Sequence, residues 1–160
     1  MNKRLWLTGV IVCSLLYITI KINSKYRELP VKQHQVISKA LQYEGIPYKA
    51  GGTTSKGMDC SGLVQTSFKN IAIQLPRSSK AMSTEGEKVS IHEVVVGDLL
   101  FFNIDRLQGS INHVGLVTSV NDNSVKFIHS TTKKGVIVSS MNESYWSDAF
   151  VKAKRILLSE

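Results

Sequence analysis

Gly57-Met58-Asp59-Cys60-Ser61-Gly62-Leu63-Val64 is the stretch whose reading decides the fold. A glycine-bounded polar turn runs into Leu63, Val64, Ser67 and Phe68, which recur at helical spacing. Asp59 stands where that helix starts, and its carboxylate suits the unpaired N–H groups of a first turn. Cys60 therefore falls at a helix N-terminus, where the helix dipole and free N–H groups favour thiolate. The chain's only other cysteine is Cys13, in an apolar leader, so Cys60 has no disulfide partner beyond that leader. A buried structural thiol is the alternative to a nucleophile.

Upstream, Val36, Ile37, Ala40, Leu41 and Tyr43 mark a helix that stops at Gly45, followed by a loop with Pro47, Gly51, Gly52 and Gly57. Downstream, Ser78 or Ser79 starts a short third helix toward Glu85. The pattern then changes, with strands expected over 94–96, 99–102, 113–120, 125–129, 136–139 and 150–156. Gly97-Asp98, Asn121 to Ser124 and Lys133 to Gly135 supply turns. Helices first and strands afterwards imply an α+β domain, with N-terminal helices on one side of an antiparallel sheet of about five to six strands.

The 160 residues, 42% of them hydrophobic and 20% charged, suffice for one folded domain and exclude wholesale disorder. Of the net charge of +8, half lies in residues 1–30, where five basic residues face Glu28. No basic run or binding motif accompanies the rest, so nucleic acid is not an expected partner. Leu5 to Ile20 is an uncharged apolar run behind Lys3 and Arg4, the order of an export signal or signal anchor. Residues 1–22 read as an uncleaved anchor, with membrane contact through residues 5–22. A cleaved signal and lipidation at Cys13 are the alternatives. Residues 23–30 read as a linker and 31–160 as one domain, monomeric and held outside the cytoplasm.

Four histidines compete as partners for Cys60. His34 and His92 sit among polar residues and read as solvated. His113 and His129 fall inside apolar strands, and only side chains on one sheet face can cooperate. A two-residue turn at Asp122-Asn123 pairs residues whose numbers sum to 245, which puts the histidines on opposite faces. An odd loop, or a bulge between Val120 and Val125, puts them on one face.

In order along the chain stand Gly45-Ile46-Pro47-Tyr48-Lys49-Ala50-Gly51-Gly52, the Gly57–Val64 stretch, and Leu75-Pro76-Arg77-Ser78-Ser79. Gly97-Asp98-Leu99-Leu100-Phe101-Phe102, His113-Val114-Gly115-Leu116-Val117 and Phe127-Ile128-His129-Ser130 follow. Together they make residues 31–158 similar to the NlpC-type (NlpC/p60) cell-wall cysteine peptidases. The resemblance implies a papain-like core and hydrolysis of amide bonds in peptidoglycan stems or cross-links. It implies Cys60 as nucleophile, His113 as general base and acid, and His129 as the residue orienting His113, a division of labour common to catalytic triads. Backbone N–H groups around Cys60 and Ser61, with the Tyr48 hydroxyl, become candidates to hold the oxyanion. Asp59 becomes a candidate for a cationic amine of the substrate, and Arg77 for a carboxylate or a structural role.

Three departures from the family pattern stand out. Ala50 replaces a bulkier residue near a subsite, Ile71-Ala72-Ile73 replaces a glycine at the helix exit, and residues 103–112 form a longer loop able to cover the cleft. No cofactor or metal is expected, since no carboxylate or close ligand pair joins Cys60, His113 and His129. Amidase or acyl-transfer chemistry on another acyl substrate and non-catalytic wall binding are the rival functions. Helix placement and protonated His113 together predict a depressed Cys60 pKa.

Overall fold

The computed structural model describes residues 31–105, 107–121 and 124–157. The anchor (1–22) and linker (23–30) read from the sequence lie outside them. The helices are α1 (residues 31–41), α2 (Cys60–Lys69), α3 (Ser79–Met82) and α4 (Ser144–Ala149). A small hairpin pairs β1 (Thr53–Thr54) with β2 (Gly57–Met58). The main sheet contains β3 (Glu87–Val89), β4 (Leu99–Phe102), β5 (His113–Asn121), β6 (Ser124–Thr131), β7 (Gly135–Ser140) and β8 (Phe150–Arg155). Its order is β3-β8-β4-β5-β6-β7, antiparallel throughout.

Four consecutive large apolar residues in β4 need cover on both faces of the sheet, and they have it. Leu99 and Phe101 point to one side, where Val36 and Ala40 of α1 and Leu63, Val64 and Phe68 of α2 close the core. Leu100 and Phe102 point to the other, against Phe127, Val117, Ala153, Ile104 and Trp146. The N-terminal helices thus pack on one face, as their stripes require. The second face is covered by α4, which the sequence pattern did not reveal because Trp146 is its only buried residue.

The strand expected over 94–96 is not formed. Asp98 takes the Val95 N–H at 2.8 Å and holds Arg155 through two contacts of 2.9 and 2.8 Å, which fixes this segment as a turn. Val94 still enters the second core. The sixth strand is instead β3, a charged, exposed edge strand whose residues carry no apolar alternation.

Between β5 and β6 the register settles the parity question. Val120 pairs with Val125 and Asn121 with Ser124, the register of a two-residue connection. Farther in, Val117 pairs with Phe127, so Thr118 is an extra residue and the sum falls by one. The required bulge exists, but at Thr118 rather than between Val120 and Val125. It turns His113 and His129 to the same face.

The 103–112 loop is tied down by one side chain. Asn112 accepts the Ile104 N–H at 2.8 Å and donates to the carbonyls of Ile104 and Gly109, each at 3.1 Å. Ile104 enters the second core, and the loop's described start lies beside α4.

Candidate active site

The turn before α2 is a crossing too tight for side chains. A Cβ on Gly62 would stand under 3.0 Å from the Gly52 carbonyl oxygen, a backbone atom with no freedom to yield. This contact seats the first turn of α2 on the glycine loop. Asp59 caps the helix as its position requires, its Oδ1 accepting the Gly62 N–H at 2.7 Å. Cys60 opens the helix half-buried, with the backbone N–H groups of Val114, Ser61 and Cys60 near enough to favour its thiolate form.

Burial is the largest influence on the Cys60 thiol and pushes its pKa up. The three N–H groups oppose this and the Asp59 charge adds to it, so the net direction is upward. The depressed pKa expected from helix placement is therefore not what this structure carries: desolvation and a neighbouring carboxylate outweigh the N–H groups.

Val114 follows His113, the first residue of β5, so the strand that brings an N–H to the sulphur also carries the imidazole. His113 is 5% exposed and His129 fully buried. His113 Nε2 lies 2.9 Å from His129 Nδ1, and His129 Nε2 lies 3.0 Å from Ser139 Oγ on β7. Burial, then the charge on His113, holds the His129 imidazole far below its ordinary pKa, so it stays neutral. Trp146 fixes both rings, stacked on His113 at 5.4 Å and edge-on to His129 at 4.5 Å. Phe127 packs against His129 at 4.8 Å.

The second group is a closed clamp. Arg77 Nη1 and Nη2 donate to Asp59 Oδ1 and Oδ2 at 2.9 and 2.6 Å, and Nη1 also donates to Ser61 Oγ at 2.7 Å. Gly51 N–H reaches Asp59 Oδ2 at 2.8 Å. Burial alone would raise the Asp59 carboxyl, but hydrogen bonds from Arg77, Gly62 and Gly51 and the Arg77 charge carry it below its ordinary value. Tyr48 is joined to Met58 by an isolated bridge, within the fields of Asp59 and Cys60. Burial, then the Asp59 charge and Cys60 once it ionises, raise its phenol pKa against the opposing Arg77 charge, so it remains a hydroxyl donor at neutral pH.

The residues singled out in the sequence thus form two sets, linked to Cys60 through the Val114 N–H on one side and the Asp59 charge on the other. One is His113–His129 with Ser139 and Trp146; the other is Asp59–Ser61–Arg77 with Tyr48 beside it. Ser139 and Trp146 were not anticipated. Extending the parity test to the next hairpin finds Ser139: His129 pairs with Ile137, so Ser139 is its diagonal neighbour on the same face. Among the described residues, no three His, Cys, Asp or Glu side chains are grouped to hold a metal ion.

Residues 45–155 match the model of the NlpC/P60 family. The chain is 37% identical over 132 residues to the murein DD-endopeptidase MepS/murein LD-carboxypeptidase of Escherichia coli (strain K12), covering 82% of this chain and 66% of that protein. It is 38% identical over 122 residues to the bifunctional muramidase/DL-endopeptidase CwlT of Bacillus subtilis (strain 168), covering 76% of this chain and 36% of that one. The crystal structure of an NlpC/P60 family protein from Bacillus cereus superposes with a TM-score of 0.70 at 31% identity, over 79% of this chain and 40% of that one. In each case the match spans less than two thirds of the relative's own length.

Proposed function

The chain belongs to the NlpC/P60 family, and from that membership we propose that it is a cysteine endopeptidase hydrolysing amide bonds in the peptide stems or cross-links of peptidoglycan. The observation that supports the reading is the start of β5, where the Val114 N–H acts on the Cys60 sulphur and the adjoining His113 is held from behind by His129. MepS and CwlT, by name a DD- and a DL-endopeptidase, support the substrate class while differing in the bond they cut.

His113 Nε2 is engaged by His129, so Nδ1 exchanges the proton with the thiol. The upward push on Cys60 favours the thiol at rest, so its proton must leave during attack. As the sulphur attacks the carbonyl carbon, its proton passes to His113 Nδ1 and the carbonyl oxygen becomes an oxyanion. The backbone N–H groups around the sulphur and the Tyr48 hydroxyl stabilise that charge. His113 then protonates the departing amine, leaving a thioester on Cys60. Water, deprotonated by His113, hydrolyses the thioester and returns the thiol.

Arg77 serves a structural role in the free enzyme, because both Asp59 oxygens already accept its guanidinium. A substrate ammonium reaches Asp59 only by sharing or displacing that partner. Residues 31–160 form the peptidase domain, tethered by residues 1–22 through the linker 23–30 to the outer side of the cytoplasmic membrane. One copy supplies every residue of the mechanism, so a monomer suffices. The test is digestion of purified sacculi with mass analysis of the released muropeptides. New stem-peptide ends are expected; intact sacculi after prolonged incubation would overturn the proposal.

A further inference from the structure

Two imidazoles joined by a single hydrogen bond share one proton between them, and its position decides what the outer ring can do. With the proton on His113 Nε2, His129 Nδ1 accepts and His113 Nδ1 has a lone pair to act as base. With the proton on His129 Nδ1, His113 Nε2 accepts, the neutral ring carries its proton on Nδ1, and it cannot take one from the thiol. Because His129 is neutral, its Nε2 is protonated in the first arrangement and bare in the second. The atom 3.0 Å from Nε2 is Ser139 Oγ, and both residues are buried.

Resting on the reading of Cys60 and His113 as nucleophile and base, we infer that Ser139 is a positioning residue that accepts the Nε2 proton of His129 and so fixes the tautomer in which His113 is basic at Nδ1. A hydroxyl can play either partner, so the direction depends on where its own proton goes. Ser139 lies on the wall of a cavity of about 380 Å³, beside Trp146, Ile137, Glu143 and Lys133. This open side gives the hydroxyl proton a direction away from the ring in which solvent can accept it, and in that rotamer an oxygen lone pair is left for His129. Neither the buried Phe127 nor Trp146 rings around His129 offer Nε2 an alternative acceptor of comparable strength.

The direct readout is nitrogen NMR of the full chain with labelled histidine. A protonated, pyrrole-type Nε2 and a bare, pyridine-type Nδ1 on His129 are expected; the reverse pattern overturns the inference. Ser139→Ala should lower kcat by about 10-fold with KM little changed, because the Nε2 proton loses its acceptor. Ser139→Thr, which keeps the hydroxyl, should restore most of that loss. In a His129→Ala background, Ser139→Ala should change kcat by less than about 2-fold, since it acts only through His129. Wild-type kcat in Ser139→Ala, or the same loss with and without His129, overturns the inference. If Ser139→Ala does not fold, the wild-type tautomer decides alone. Turnover by Cys60→Ala would instead sink the cysteine mechanism, whereas an inert Cys60→Ala beside an unaffected Ser139→Ala would remove Ser139 only.

Discussion

Deleting the Asp59 carboxylate tests whether the clamp holds the start of α2. Asp59→Ala removes the cap to Gly62 N–H at 2.7 Å, a contact type whose loss costs about 1 kcal/mol. It also breaks the pair with Arg77, whose side chain is 40% exposed against 16% for Asp59. Solvent screening at that exposure limits the pair to about 0.5–1 kcal/mol. The Gly51 N–H is exposed and regains water, so it adds little. The total for Asp59→Ala is about 2 kcal/mol. Asp59→Asn keeps one side-chain oxygen for the Gly62 N–H but loses the charge and the Oδ2 acceptor of Arg77 and the exposed Gly51 N–H, about 1 kcal/mol. Urea unfolding of the full chain at pH 7 measures both. Because the folded carboxyl is held below its ordinary value, its contribution is present above about pH 3.9 and is lost as pH falls through the folded value. The deficit of Asp59→Asn should therefore shrink in acid. Equal stabilities for Asn and Ala, or both within about 0.5 kcal/mol of wild type at pH 7, would refute the clamp.

Gly115→Ala places a Cβ under 3.0 Å from the Phe127 ring, which is buried and packed on His129, so it should cost about 1–3 kcal/mol and lower kcat; an unchanged urea midpoint would contradict this. Alkylation mapped to the Cys60 peptide should rise with a midpoint above the ~8.5 of a free thiol, and Asp59→Asn should lower that midpoint by removing a charge that raises it. A wild-type midpoint well below that value would restore a thiolate–imidazolium ground state. His129 should show no imidazole titration down to pH 4 in a histidine NMR series, about 2.5 units below the ordinary 6.5, and titration between pH 5 and 7 would contradict its burial.

The α+β order, the cap at Asp59 and the short helix after Ser78 were legible because each rests on local signals: a stripe, a capping side chain, a turn. The common face of His113 and His129 was legible only as a condition, since parity demanded an irregularity without locating it. Thr118 carries no glycine or other mark that distinguishes a bulge from a regular strand residue. β3 and α4 were hidden for a shared reason. Glu87-Lys88-Val89 is an edge strand with one half-buried residue, and Ser144–Ala149 buries only Trp146. Val94-Val95-Val96 misled in the opposite direction, because strand propensity yielded to the tertiary hold of Asp98 and Arg155. The clamp was out of reach too: Asp59 and Arg77 are 18 residues apart, and only the fold shows that they satisfy each other. The thiol pKa was misjudged because helix position is local, whereas burial and the Asp59 charge are properties of the assembled site.

The most direct measurement is the mass of the Cys60 peptide after the full chain is mixed with muropeptides and quenched in acid during turnover. A thioester adduct on Cys60 is expected, its added mass identifying the acyl half of the cleaved stem, with no adduct and no cleavage in Cys60→Ala. Cleavage by wild type that persists in Cys60→Ala, or an adduct carried by any other residue, would contradict Cys60 as the nucleophile.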